Sequence, residues 1–167
     1  WTGWHRIEKD LWPPARYTPL TAKQRATFAD DLLANTRTLD ARIGKLEFTV
    51  DQIANGSRGL LEEVATGKVT GEEEIWSHTD LWDFQANVDG ARVGFEGVKP
   101  IVEQNDPALA QQLTTRFAAL QKLLDGHRDG DGFVFYDTVG TAERKQLSDA
   151  VNALSEPLSR LTAAVLG

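Results

Sequence analysis

His5 is followed three positions later by Glu8 within the opening stretch Trp1, Thr2, Gly3, Trp4, His5, Arg6, Ile7, Glu8, Lys9, Asp10, Leu11, Trp12. On a helix, at roughly 100° per residue, that spacing places both side chains one turn apart on the same side. An imidazole nitrogen and a carboxylate oxygen then meet at one point, as the Glu-x-x-His ligand pairs of metal-binding helical bundles do in reverse order. Imidazole is a borderline donor and carboxylate a hard one, which suits iron, zinc or copper. The same projection sorts the stretch into three arcs: Trp4, Ile7 and Leu11; then Trp1, His5, Glu8 and Trp12; then Thr2, Arg6, Lys9 and Asp10, which reads as a solvated face. Glu8 falls between Trp4 on one side and Trp1 and Trp12 on the other. A carboxylate among aromatics needs a cation or a donor, and His5 alone could serve. The plainer alternative is a His/Glu pair on a helix surface.

Two further acidic groups are candidates. Glu72, Glu73 and Glu74 follow Thr70 and Gly71 in a capping-box pattern, so they could complement a helix dipole, or one of them, Glu74, could reach a metal. Asp83 lies with Asn87 on a track that continues through Gly90, Gly94 and Gly97. Glycines at successive helical turns imply the close approach of another helix. Asp83 at such a contact is either hydrogen-bonded across it or contributes to a ligand site. His127 falls near a helix end, where it favours the dipole, and is not counted as a ligand.

The elements that carry these residues read as helices throughout. Pro13 and Pro14 end the first one. Thr21-x-x-Gln24 opens a second, with Phe28, Leu32, Leu39, Ile43 and Leu46 as a bundle-facing stripe; Thr49-x-x-Gln52 opens a shorter one to about Gly67. Leu81, Phe84, Val88, Ala91 and Phe95 form the stripe of a helix from Asp80 to about Val98. Asp106-Pro107 starts another with Leu109, Leu113, Phe117, Leu120 and Leu124. After a turn at Gly130 to Gly132 and a packed loop from Phe133 to Tyr136, a last helix runs from about Thr141, with a kink expected at Pro157. The expected fold is all-α: an antiparallel bundle of about four long helices over residues 15–167, plus a short helix, residues 1–14, left from a preceding bundle.

Composition narrows the function classes. With 41% hydrophobic and 26% charged residues, the 167-residue chain can build a globular core. Its formal charge of -7 and the absence of a basic face argue against nucleic acid as a partner. No apolar run approaches the roughly 20 residues of a membrane-spanning helix. Having no cysteine, the chain has no disulfide or thiolate metal site.

The run Gly3-x-His5-x-x-Glu8, followed by Lys9, Asp10, Leu11 and Trp12, resembles the signature of the imelysin-like domain of the EfeO family of extracytoplasmic iron-uptake proteins. A second block, Ser77-His78-Thr79-Asp80-Leu81-Trp82-Asp83-Phe84-Gln85-Ala86-Asn87, is similar to another well-marked stretch of that family, and the likeness continues through Asp131, Gly132, Phe133 and Tyr136. The resemblance implies a two-bundle helical domain that binds a metal through His5 and Glu8. It also implies iron as cargo, a lipoprotein in the periplasm or otherwise outside the cytoplasm, and a membrane iron permease and a haem-containing peroxidase as partners. In the family the signature lies inside the domain, after a first set of helices. Here it opens a chain without methionine, so the expectation is a fragment or processed piece whose missing N-terminal helices are further partners. Two other functions compete. A metallopeptidase would fit the family's peptidase name, but there is no H-E-x-x-H and just three dispersed histidines. An interaction module without metal would use the aromatic arc for docking.

Overall fold

The computed structural model describes residues 1–167, apart from the side chains of Thr66 and Lys68. The chain is all-α: α1 Trp4–Leu11, α2 Ala22–Ile43, α3 Val50–Thr66, α4 Asp80–Asn105, α5 Pro107–Asp125, α6 Thr141–Leu158 and α7 Leu161–Leu166. The strand content is a hairpin of two residues on each side, β1 Arg128–Asp129 against β2 Gly132–Phe133, antiparallel. Two compact units divide the chain. The first is Trp1–Glu47 with Glu74–His78; the second is Phe48–Glu73 with Thr79–Gly167.

The second unit is a helical bundle whose core follows the apolar stripes. Leu61 and Val64 of α3, Phe84, Val88 and Phe95 of α4, Leu113, Phe117 and Leu120 of α5, and Leu147, Val151 and Leu154 of α6 are all buried. Phe95 and Phe117 stack with their ring centroids 5.7 Å apart. Helix α5 begins as its sequence requires: Asp106 accepts a hydrogen bond from the Leu109 amide, and Pro107 takes the first helical position, where a missing N–H costs nothing. The glycine track of α4 does admit a neighbour, at two of its three positions. A Cβ on Gly90 would lie 2.9 Å from Leu60 Cδ1, and one on Gly94 would collide with Ser57 Oγ, both on α3; a Cβ on Gly97 would meet nothing within 4 Å.

The first unit packs α1 onto α2 and the turn at residues 74–78. Thr21 caps α2 through a full capping box with Gln24. Several expectations change at this level. The stripe on α2 does not face a bundle: α2 has no buried residue, Phe28 and Leu32 are half-buried, and Leu39 and Ile43 are exposed. The bundle instead uses α3, whose apolar positions are the ones that meet α4. Residues 15–47 group with α1. Thr70 opens no helix, because Lys68–Thr70 is a single 3-10 turn followed by Gly71 at φ 76°. Helix α4 runs through Pro100 to Asn105, beyond the expected end near Val98. Pro157 lies inside the last turn of α6, which ends at Leu158, and α7 begins at Leu161. Among the described residues, no helix is long and apolar enough to cross a membrane.

Candidate metal centre

Helix α1 is short, and its orientation is set by an anchor on the arc that was expected to face solvent. Asp10 is only 7% exposed. Its carboxylate accepts from the Leu20 amide at 2.8 Å, from the Tyr17 hydroxyl at 3.1 Å and from Arg25 Nε on α2. The Leu20 amide, then the Arg25 guanidinium and the Tyr17 hydroxyl, hold its carboxyl below the usual carboxylate value against the opposing effect of burial. Arg6 donates to the Tyr17 hydroxyl at 2.6 Å and lies over the rings of Phe28 and Trp1. Lys9 lies over Trp76 and Trp1. The sequence projection missed this role, because charged residues on one arc carry no mark of the aromatic rings and the guanidinium that come to meet them.

With α1 held in this way, Glu8 is carried into the turn Glu74–His78. That turn is closed by the His78 amide donating to the Glu74 carbonyl at 2.8 Å, with His78 at φ 58°. Its inner amides point at one oxygen of Glu8. Oε1 accepts from Ser77 N at 2.8 Å, Trp76 N at 3.0 Å and Ser77 Oγ at 3.0 Å. The second oxygen, Oε2, lies 3.0 Å from His5 Nδ1. Burial by itself raises the Glu8 carboxyl, but the Ser77 amide, His5, the Trp76 amide and the Ser77 hydroxyl outweigh it, and the pKa is lowered. Glu8 is therefore an ionised, 7%-exposed carboxylate at neutral pH. The tryptophans do not enclose it as the arcs suggested: Trp4 is 68% exposed, and Trp1 and Trp12 are exposed too.

Glu74 completes the group. Its Oε1 lies 3.9 Å from His5 Nδ1, and its Oε2 lies 3.3 Å from Ser77 Oγ. His5, Glu8 and Glu74 each offer one ligand atom within 4.8 Å of the others, the cluster of this kind found among the described residues. Of the three consecutive glutamates, Glu74 is the member, while Glu72 and Glu73 are exposed. Asp83 is outside the cluster, half-buried in the first turn of α4. Metal bonds of about 2.1 Å at octahedral or tetrahedral angles set neighbouring donor atoms roughly 3.0–3.4 Å apart. The observed 3.0 and 3.9 Å bracket that range, so one imidazole and two carboxylates fit a cation with small side-chain movement. A neutral imidazole nitrogen either donates to Glu8 or gives its lone pair to a cation, so occupation would replace the His5–Glu8 hydrogen bond rather than add to it.

Ser77 and the Trp76 amide are the participants that spacing alone did not reveal. The second family-like block begins at Ser77, one residue after Trp76, but the helix that carries it was expected only from Asp80.

Fold and site together define an all-helical protein with a half-buried His–Glu–Glu cluster formed by one helix and one distant turn. The chain belongs to the imelysin family, whose sequence profile matches residues 1–161. It is 45% identical over 161 residues to an Efem/EfeO family lipoprotein of Staphylococcus haemolyticus (strain JCSC1435), covering 96% of this chain and 55% of that protein. It is also 43% identical over 162 residues to the protein of the same name from Staphylococcus aureus (strain MRSA252), covering 96% and 56% respectively. The chain thus spans little more than half the length of these curated relatives.

Proposed function

We propose that this chain carries the metal site of an extracytoplasmic iron-uptake component, with His5, Glu8 and Glu74 holding iron as cargo. The observation that carries the reading is the convergence of these three donors from α1 and a turn more than 60 positions away, around a carboxylate bound by two backbone amides. An isolated surface His/Glu pair would not need two backbone amides directed at the glutamate. Ferrous and ferric iron both accept imidazole and carboxylate, and so do zinc and copper, which are the alternative cargoes. Delivery requires release, and protonation of His5 would favour it by withdrawing the imidazole lone pair. The lipoprotein relatives support a location outside the cytoplasm at a membrane surface. The partners of this reading are a membrane iron permease, a haem peroxidase and further helices of a longer protein, against which the exposed apolar face of α2 would pack.

Isothermal titration of the metal-free chain with ferrous, ferric, zinc and cupric ions, beside its Glu8→Ala variant, tests the reading. Stoichiometric binding abolished by the substitution supports it and ranks the metals. A folded chain that binds none of them overturns it for this chain. A second reading, an interaction module without metal, is favoured by the exposure of Trp4 and Leu11 on one short helix and of Trp12 at its C-terminal end. In that case Glu8→Ala would disturb folding without any metal having been bound.

A further inference from the structure

The Ser77 hydroxyl has one hydrogen and stands between two carboxylates. Its Oγ is 3.0 Å from Glu8 Oε1 and 3.3 Å from Glu74 Oε2, and the residue is 3% exposed. A hydroxyl donates to one acceptor at a time. Glu8 Oε1 does not depend on it, because the Ser77 and Trp76 amides already bind that oxygen. The hydrogen can therefore turn to Glu74 while Glu8 stays fixed. Turned that way, it would hold Oε2 of Glu74, leaving Oε1 of the same carboxylate directed at His5. The turn that fixes Ser77 relative to Glu74 is closed by their own backbone, through the His78 amide on the Glu74 carbonyl.

From this geometry we infer that Ser77 is a positioning residue: its hydroxyl aims Glu74 as the third ligand. The inference rests on the metal-site reading above. Hydrogen bonds from outside the ligand set orient ligands and typically change metal affinity by about 10-fold to 100-fold when removed.

Zinc and ferrous ions, titrated calorimetrically into the wild-type chain and the variants Ser77→Ala, Ser77→Thr, Glu74→Gln and Ser77→Ala/Glu74→Gln, test it. Far-UV circular dichroism checks each fold. Ser77→Ala should weaken binding about tenfold at unchanged stoichiometry, and Ser77→Thr, which keeps the hydroxyl, should restore it. Because Ser77 acts through Glu74, adding Ser77→Ala to Glu74→Gln should cause no further loss, a non-additivity that general loosening of the turn would not produce. Wild-type affinity in Ser77→Ala, or a full additional loss in the double variant, overturns the inference. If wild type binds and Glu8→Ala does not, while Ser77→Ala binds normally, only the positioning role falls. A folded wild type that binds neither ion removes the metal reading and this inference together.

Discussion

The Ser77 amide donates to Glu8 Oε1 at 2.8 Å across 69 positions of sequence. This bond, with its neighbour from Trp76, decides what kind of group Glu8 is. A carboxylate in that degree of burial would ordinarily drift toward its neutral form, and here the Ser77 amide, His5 and the Trp76 amide keep it charged. The helix supplies the residue and one of these partners, and the turn supplies the others. Glu74, from the same turn, then brings a second carboxylate to the same imidazole.

Removing the Glu8 carboxylate strands donors that are turned inward. Glu8→Ala leaves the Trp76 and Ser77 amides without this acceptor, while the Ser77 hydroxyl keeps Glu74 within reach, and an unsatisfied buried group costs about 1–3 kcal/mol. Glu8→Gln keeps a neutral acceptor oxygen. We expect the alanine variant to lose about 2–4 kcal/mol of the first unit's stability and the glutamine variant about 1 kcal/mol. Urea unfolding followed by tryptophan fluorescence reads mainly this unit, since Trp1, Trp4, Trp12 and Trp76 belong to it and only Trp82 lies in the other. An alanine variant that melts with wild type would show that the turn does not depend on Glu8.

The sequence made the helices legible where periodicity and caps act locally. Asp106-Pro107 and Thr21-x-x-Gln24 start helices as read, and the stripes of α4, α5 and α6 form the core. Partner choice was not legible in the same way. An amphipathic stripe says that a face wants cover, and α2 carries such a stripe without a buried residue. The spacing of His5 and Glu8 was readable because it is local. Asp10 looked solvated because its partners Tyr17, Leu20 and Arg25 lie seven to fifteen positions away, beyond the reach of helical geometry. Ser77 was invisible as a donor to Glu8 for the same reason, at longer range.

The glycines of α4 differ in what they permit. At Gly94 a Cβ would displace Ser57, whose hydroxyl donates to the Ile53 carbonyl at 3.0 Å and has nowhere exposed to go. Gly94→Ala should therefore cost about 1–3 kcal/mol through overpacking. Gly97 is open, so Gly97→Ala should stabilise the bundle by about 0.5–1 kcal/mol through helix propensity alone. Chemical denaturation followed by far-UV circular dichroism distinguishes them, and equal effects at both sites would refute the close approach of α3 at Gly94.

Tyr136 ties the second unit together and gives it an alkaline limit. Its hydroxyl donates to the Val69 carbonyl at 2.5 Å, and its ring occupies the space that a Cβ on Gly71 would need. Arg144 lies 4.4 Å from the ring centroid and donates to the Tyr136 carbonyl at 2.7 Å. Burial raises the phenol above the ordinary tyrosine value of about 10; Arg144 opposes this and Asp80 adds to it. The sign follows from proton counting. Between the unfolded and folded pKa values the native state binds more protons than the unfolded one, so stability falls as pH rises. The stabilisation is whole below about pH 10 and is lost as pH climbs through the raised native value. Tyr136→Phe should lose about 1 kcal/mol at neutral pH, for the hydrogen bond to Val69, and should lack the tyrosine-linked alkaline decline. Urea midpoints followed by circular dichroism at about pH 8 and about pH 11 give the comparison, with the two proteins drawing closer in stability at the higher pH. A gap that stays constant or widens would mean that the Tyr136 phenol ionises as readily in the folded bundle as in the unfolded chain.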